Sequence, residues 1–375
     1  MIFAAEEYAA RKAKLRAEMA RRGLDAVLLF APESHYWLTG FDTFGFCFFQ
    51  CLIVTEEGTH LLTRSADLRQ AQETSDIEDI RVWTDGKDDP VERLADWLTE
   101  LGPKRIGLES DTHGLTFTNG RRLTARLPDL IDTPDIVHPL RLVKSEAEIA
   151  CIRRAAELGD AAYEAALPMM RPGGDEGVIL AAMQAAVFAE GGDFSGNPPI
   201  IGSGERALLC RYASGRRQLD RQDQLTLEWA RVWRQYHAAL MRTVVIGQPT
   251  DRHIALHAAA REALEACEAH LTPGTEMREV FAAHADTLDA HGLAAHRLNA
   301  CGYSLGARYA PSWMEPQMFH AGADTVIGPG MVFFLHMILM ESETGTAMTL
   351  GRTSLVTETG AEPLSRLSLE LPVSA

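Results

Sequence analysis

An acid and a histidine lie on neighbouring segments of one alternating stretch, Leu225–Gly247. Polar and apolar residues alternate there with the two-residue period of β-strands, which predicts a hairpin with a short basic turn at 231–235. The alternation directs Glu228 on the first strand and His237 on the second toward one cavity. A carboxylate and an imidazole that share a cavity are suited to general acid–base catalysis. The structural alternative is an arginine partner for Glu228 and a half-buried, hydrogen-bonded His237.

A second histidine interrupts an apolar segment, 331–340, that is predicted to form a buried strand. A buried polar group without a partner costs roughly 1–3 kcal/mol, so His336 is either bonded to backbone or used in chemistry. An imidazole that titrates near pH 7 can act as general base toward water. His336 is therefore the first candidate for the base, and His237 is the alternative.

Other residues offer contacts to a substrate. Tyr303 can donate a hydrogen bond to a developing oxyanion, and Arg211 can bind a carboxylate through two hydrogen bonds. Cys210 lies beside that arginine, which would lower the pKa of its thiol and favour a nucleophile. Glu341 and Glu343 can bind an ammonium or guanidinium group. The remaining candidates for the substrate pocket are Tyr212, Phe46 and Trp313, and for all of these residues packing or solvation is the alternative.

The composition excludes several classes of protein. The chain has 375 residues and a net charge of −16, which disfavours nucleic acid as a partner because phosphate contacts need a basic surface. Its 6 cysteines form no CxxC pair, and with no signal-like N-terminus they indicate reduced thiols in a cytoplasmic protein. No apolar run of about 18 residues occurs, so no membrane span is expected.

The order of elements predicts two domains. Residues 1–140 alternate helix and strand, which is typical of a small α/β domain. Its first helix is predicted at 6–22, with Gly23 at its C-terminus. Ser145 and Glu148 form a capping-box pattern that opens the next helix. In residues 141–375 helices precede strands twice, which favours an α+β domain with duplicated halves.

Five short motifs together resemble the creatinase/aminopeptidase P/prolidase family and fall in its order and spacing: Arg141–Ile149, Gly202–Gly204, His237–Thr243, Gly302–Gly306 and Gly330–Phe333. The resemblance covers nearly the whole chain. It implies an N-terminal α/β creatinase-like domain followed by a C-terminal α+β pita-bread domain that carries the catalytic site. It also implies a homodimer in which the N-terminal domain of one subunit approaches the active site of the other.

The family's peptidases hold two metal ions on two Asp, one His and two Glu. The matching positions of this sequence contain Glu228, Ala239, Tyr303, His336 and Gly351. A pair of divalent ions needs several hard oxygen ligands, and this set supplies at most two ligands. The resemblance therefore predicts no metal site, and we expect no cofactor. The segment 210–212 stands where the family carries its proton-shuttle histidine.

The segments 34–41, 49–51 and 311–315 are similar to the metal-free creatinase and ectoine hydrolase branch. The first hypothesis is a metal-independent hydrolase that cleaves a C–N bond in a small zwitterionic amide, amidine or guanidine. In it His336 or His237 activates water, Glu228 assists, Tyr303 polarises the scissile group and Arg211 holds a carboxylate. The alternatives are a metal-dependent Xaa-Pro aminopeptidase or dipeptidase, a non-catalytic binding protein on this scaffold, and an osmolyte lyase.

Overall fold

The computed structural model describes residues 2–211 and 217–374. Contacts between residues divide the chain into two units, Met1–Arg141 and Leu142–Ala375. The first unit alternates helices and strands as the sequence predicts, and the second combines long helices with one antiparallel sheet. The predicted fold class, an α/β domain followed by an α+β pita-bread domain, is confirmed.

The first unit contains these helices: α1 (Ala5–Arg22), α2 (Pro32–Thr39), α3 (Leu68–Thr74), α4 (Pro90–Leu101) and α5 (Phe117–Arg126). Gly23 ends α1 in the left-handed conformation at φ 66°, which permits its N–H to reach the carbonyl groups of the last turn. Pro32 begins α2, and Gly40 follows its last residue as the C-cap in the left-handed conformation.

The strands of the first unit form one sheet in the order β4-β3-β2-β1-β5-β6. Their bounds are β1 (Ala26–Leu29), β2 (Cys51–Thr55), β3 (Thr59–Arg64), β4 (Asp79–Trp83), β5 (Ile106–Leu108) and β6 (Ile131–Asp132). Phe46 lies in the short helical turn Gly45–Cys47, before β2 begins.

The second unit contains four helices in the part of the chain that the structure describes: α6 (Glu146–Ala166), α7 (Glu176–Ala189), α8 (Asp251–His270) and α9 (Met277–Ala290). The predicted capping box opens α6, with both reciprocal hydrogen bonds between Ser145 and Glu148 present. Apolar side chains of α6 and α7, among them Ala162 and Met183, pack against the sheet residues Leu227, Trp229 and Leu240.

The strands of the second unit form a sheet in the order β10-β11-β12-β9-β8-β7. Their bounds are β7 (Ile200–Ser203), β8 (Asp223–Trp233), β9 (Tyr236–Ile246), β10 (Gly302–Ser304), β11 (Val332–Glu341) and β12 (Thr346–Thr357). Two short strands extend it, β13 (Gly360–Pro363) beside β12 and β14 (Val373–Ser374) beside β9.

The predicted hairpin forms, but its turn is shorter than the sequence suggested. Only Arg234 and Gln235 connect β8 to β9, both with positive φ, as a two-residue hairpin turn requires. Arg231, predicted to lie in the turn, is inside β8 and only 1% exposed. The strand continues through Trp233, and the residues from Asp223 to Val232 are buried on both of its faces.

None of the helices in the described ranges has the length and apolar composition needed to cross a lipid bilayer.

Thr353 of β12 provides a test of how this sheet is held together. Its Oγ1 accepts the Ala239 N–H at 2.9 Å and donates to the Ala239 carbonyl at 2.9 Å. Both residues are buried, so Thr353→Val leaves two backbone groups without partners. We expect the free energy of unfolding of the second unit to fall by about 3 kcal/mol in urea titrations followed by circular dichroism.

The matched control is Thr359→Val, which makes the same chemical change at an exposed position of the same unit. Its effect should stay within about 0.5 kcal/mol. Equal stability of the two variants would show that the Thr353 hydroxyl does not hold β9 to β12.

Candidate functional site

A cavity of about 610 Å³ opens on the face of the second-unit sheet opposite α6 and α7. Strands contribute Glu228 from β8, Tyr303 from β10 and His336 from β11, and the preceding loops contribute Cys210 and Arg211. The remaining lining residues are mostly apolar or neutral: Asn197, Pro198, Ile200, Leu298, Asn299, Ala300, Pro311, Ser312, Trp313, Met314, Met318 and Ile338. Glu228 and Arg211 are thus the charged side chains among the described residues of the lining.

The register of the sheet brings these side chains together in two neighbouring rows. Residues directly opposite in antiparallel strands point to the same face. The first row pairs Glu228 with Met241, Met241 with Gly351 and Gly351 with His336. The second row consists of Ala230, Ala239, Thr353, Phe334 and Tyr303. All of the positions that the family resemblance assigns to metal ligands therefore fall on one face of the sheet.

Glu228 is the centre of the hydrogen-bonded groups in the cavity. The Tyr303 hydroxyl donates to its Oε1 at 3.3 Å, and the Trp313 indole N–H donates to that hydroxyl at 2.7 Å. Burial raises the pKa of Glu228 to about 7, against smaller opposing effects of the Tyr303 hydrogen bond and the Arg211 charge. Burial and the neighbouring carboxylate raise the pKa of Tyr303 well above its usual range. At neutral pH Glu228 can both accept and return a proton.

His336 lies beside this group in a cluster of rings. Its ring centroid is 5.7 Å from that of Tyr303 and 5.5 Å from that of Phe334. Burial is the main cause that lowers the pKa of His336 to about 3. The nearby His284 of α9 and Arg211 contribute smaller effects in the same direction. The imidazole is therefore neutral near pH 7. It is a poor proton acceptor there but a competent hydrogen-bond donor.

His237 does not line the cavity, although it shares the sheet face with Glu228. It pairs with Val232, four residues along β8 from Glu228. Its Nε2 accepts the backbone N–H of Gly196 at 3.0 Å, and burial lowers its pKa to about 4. The expectation that both side chains enter one cavity is wrong for His237, because alternation fixes the face but not the distance along the strand.

The predicted carboxylates at the end of β11 are not among the cavity residues. Glu341 forms an ion pair with Arg252 and accepts a bond from Thr344, and the Arg252 hydrogen bond chiefly holds the pKa of Glu341 down at about 2. The side chain of Glu343 is 77% exposed, with His296 at 3.9 Å. Neither position supports the binding of a substrate cation in this cavity.

Of the other predicted contacts, Cys210, Arg211 and Trp313 line the cavity. Tyr212 lies outside the described residues. Phe46 belongs to the first unit and is not among the residues that line this cavity.

Sequence reasoning missed Phe334, Asn197 and His284. Phe334 precedes His336 by two residues, so the period of the strand already placed both on one face. Asn197 lies in a loop whose position depends on tertiary contacts, and its Oδ1 accepts the Trp313 backbone N–H at 3.2 Å. His284 comes from a helix remote in sequence, and no local pattern indicated it.

The residues at the metal-ligand positions do not fit a pair of divalent ions. Glu228 supplies a carboxylate and His336 an imidazole, while Ala239 and Gly351 supply no donor. A Cβ at Gly351 would lie 2.9 Å from two ring atoms of Phe334, so that ring fills the space a ligand side chain would need. Within residues 2–211 and 217–374, no three His, Cys, Asp or Glu side chains converge as a metal site requires.

Comparison with known proteins agrees with this architecture. Ectoine hydrolase of Halomonas elongata is 28% identical over 98% of this chain and 98% of that protein. Creatinase of a Bacillus species is 26% identical over 97% and 92%. A Xaa-Pro dipeptidase of Pyrococcus horikoshii is 22% identical over 94% and 96%.

Solved structures show the same fold. The X-Pro aminopeptidase of Thermotoga maritima superposes with a TM-score of 0.85 at 23% identity, covering 96% of this chain and 99% of that one. The prolidase of Pyrococcus horikoshii also gives 0.85, at 21% identity and the same coverage. Residues 11–143 match the creatinase/prolidase N-terminal domain, and residues 150–358 match metallopeptidase family M24. Because the latter match spans more than half of the chain, this protein belongs to metallopeptidase family M24 and is a hydrolase that cleaves C–N bonds.

Proposed function

We propose that this hydrolase cleaves a C–N bond in a small zwitterionic metabolite without using a metal ion. One observation carries the proposal: the two sheet rows hold a single carboxylate, Glu228, where family peptidases hold an acidic cage. The ring of Phe334 over Gly351 supports it, because it occupies space that a second carboxylate would need. A site without a metal must activate water with its own side chains.

Glu228 is the proposed general base, in place of His336. A base works best when its pKa lies near the operating pH, and the pKa of Glu228 is raised to about 7 while that of His336 is lowered to about 3. Glu228 takes a proton from the attacking water as the new C–O bond forms. It returns that proton to the leaving nitrogen as the C–N bond breaks.

His336 and Tyr303 take roles that differ from the first expectation. A neutral His336 donates an N–H to the oxygen or nitrogen on which charge develops. Tyr303 has a single proton, and its hydroxyl donates that proton to Glu228, so it orients the base instead of polarising the scissile group. Both roles follow from burial, which keeps His336 neutral, and from the position of the Tyr303 hydroxyl beside Glu228.

Arg211 and the size of the cavity define the class of substrate. The guanidinium binds a substrate carboxylate, and Glu228 meets the cationic or amide end. A volume of about 610 Å³ is within the roughly 300–1,000 Å³ of small-molecule sites. The names of the relatives, ectoine hydrolase and creatinase, indicate substrates of this size and charge.

We also propose a cytoplasmic homodimer, following the family resemblance.

Xaa-Pro dipeptidases are also relatives, so the first experiment compares the two chemistries. The protein is purified without added metal, its bound metal is measured by mass spectrometry, and ectoine, creatine and Xaa-Pro dipeptides are offered as substrates. We expect substoichiometric metal, hydrolysis of a zwitterionic metabolite, and turnover that survives dialysis against a chelator.

Manganese and cobalt are then added back to the dialysed protein as the control. Activity that appears only with added metal, together with two ions bound per chain, would contradict the proposal. Dipeptide hydrolysis under those conditions would identify a metallopeptidase instead.

The second prediction concerns pH. Glu228 acts as a base only when ionised, so kcat/KM should fall tenfold per pH unit below about pH 7 and level off above it. Glu228→Gln should lower kcat/KM by about 10²–10⁴-fold and remove this limb of the profile. His336→Asn, which keeps a donor, should lower the rate but keep the midpoint near 7.

Glu190→Gln serves as the matched control, because Glu190 forms an exposed ion pair with Arg154 outside the cavity. Its profile should match that of the wild type. A midpoint that disappears in His336→Asn but persists in Glu228→Gln would make the histidine the base.

A further inference from the structure

The hydroxyl of Tyr303 lies between a group that can only donate and a group that accepts. The indole N–H of Trp313 has no acceptor capacity, so Tyr303 must accept its bond, at 2.7 Å. The one proton of the phenol then has Glu228 Oε1 as its acceptor, at 3.3 Å. When Glu228 is ionised, the direction of the chain from Trp313 through Tyr303 to Glu228 is therefore fixed by chemistry.

We propose that Trp313 is a positioning residue that aims the Tyr303 proton at the catalytic carboxylate of Glu228. The inference rests on the proposed function, in which Glu228 is the base. Trp313 acts through Tyr303 and needs no contact with the reacting atoms. Its side chain is only 2% exposed, so solvent does not replace the indole as the donor.

Hydrogen bonds and close packing hold the backbone around Trp313, and His237 contributes to this indirectly. Asn197 Oδ1 accepts the backbone N–H of Trp313 at 3.2 Å. His237 Nε2 accepts the backbone N–H of Gly196, the residue before Asn197, at 3.0 Å. A Cβ at Gly196 would lie 2.7 Å from the carbonyl oxygen of Ser312, so these two segments are in close contact. His237 thus supports the segment that packs against the one carrying the positioning residue.

Removing the indole donor frees the Tyr303 hydroxyl. Without Trp313, rotation about the phenol C–O bond can turn the proton away from Glu228, and the base loses a hydrogen bond that stabilises its ionised form. The other groups that influence the pKa of Glu228 are Arg211, which also favours the ionised form, and the surrounding apolar wall, which opposes it. The neutral His336 adds no charge near pH 7.

The test is a double-mutant cycle of Trp313→Phe and Tyr303→Phe. For each variant kcat/KM is measured against pH with the substrate that the first experiment under Proposed function identifies. Each single variant should lose about tenfold and move the acid-limb midpoint upward. The double variant should lose no more than about tenfold, because both changes remove the same hydrogen bond to Glu228. Losses that multiply to about a hundredfold would overturn the proposal.

Two controls separate positioning from simple damage to the fold. Tyr163→Phe removes a buried hydroxyl on the opposite face of the sheet, and Trp233→Phe changes an indole outside the cavity. Both should retain the wild-type midpoint. An unchanged midpoint in Trp313→Phe together with a raised midpoint in Tyr303→Phe would also overturn the proposal.

A measurement without substrate tests the hydrogen bond itself. The chain has 6 tryptophans, so a ¹⁵N-labelled sample gives 6 indole N–H resonances. The one that disappears in Trp313→Phe should move upfield in Tyr303→Phe, while the other five stay in place. An unmoved resonance would refute the Trp313–Tyr303 bond whatever the enzyme hydrolyses. A wild type without turnover would refute the proposed function, and the resonance would still decide the bond.

Discussion

The burial of one carboxyl group governs the chemistry of this site. Glu228 is 8% exposed and contacts the Tyr303 hydroxyl, and with so little solvent the charged and neutral forms become nearly equal in free energy near pH 7. The same dry surroundings make His336 a neutral ring. In water the histidine is the stronger base of the two, so burial reverses the order of the two pKa values.

The sheet register supplies the geometry on which that burial depends. Glu228 and His336 lie on strands separated by β9 and β12, yet Met241 and Gly351 join them in one row. A slip of one residue in any of these pairings would turn part of the row to the opposite face. Thr353 helps to hold the register at this point, because its hydroxyl bonds both backbone groups of its neighbour on β9.

The sequence predicted what depends on local periodicity. It placed the capping box of α6 and the two faces of β8, including that of Glu228, whereas the position of His336 at the site was an expectation from the family resemblance. It failed where distance along a strand or contacts from remote segments decide. His237 lies on the same sheet face as Glu228 but opposite Val232, four residues farther along β8. The contact between Trp313 and Asn197 depends on one loop packing against another. The burial that reverses the order of the Glu228 and His336 pKa values also follows only from the assembled fold.

The ring of Phe334 limits which side chains position 351 can carry. A glutamate introduced at position 351 would need its Cβ 2.9 Å from that ring and 2.7 Å from the Leu335 carbonyl oxygen. Position 334 would have to carry a smaller side chain, which would open a void beside Tyr303 and His336 and lower stability, and the Leu335 carbonyl would still have to move. An acidic side chain at position 351 therefore needs a compensating substitution beside it, and the effects of the two changes should not be additive.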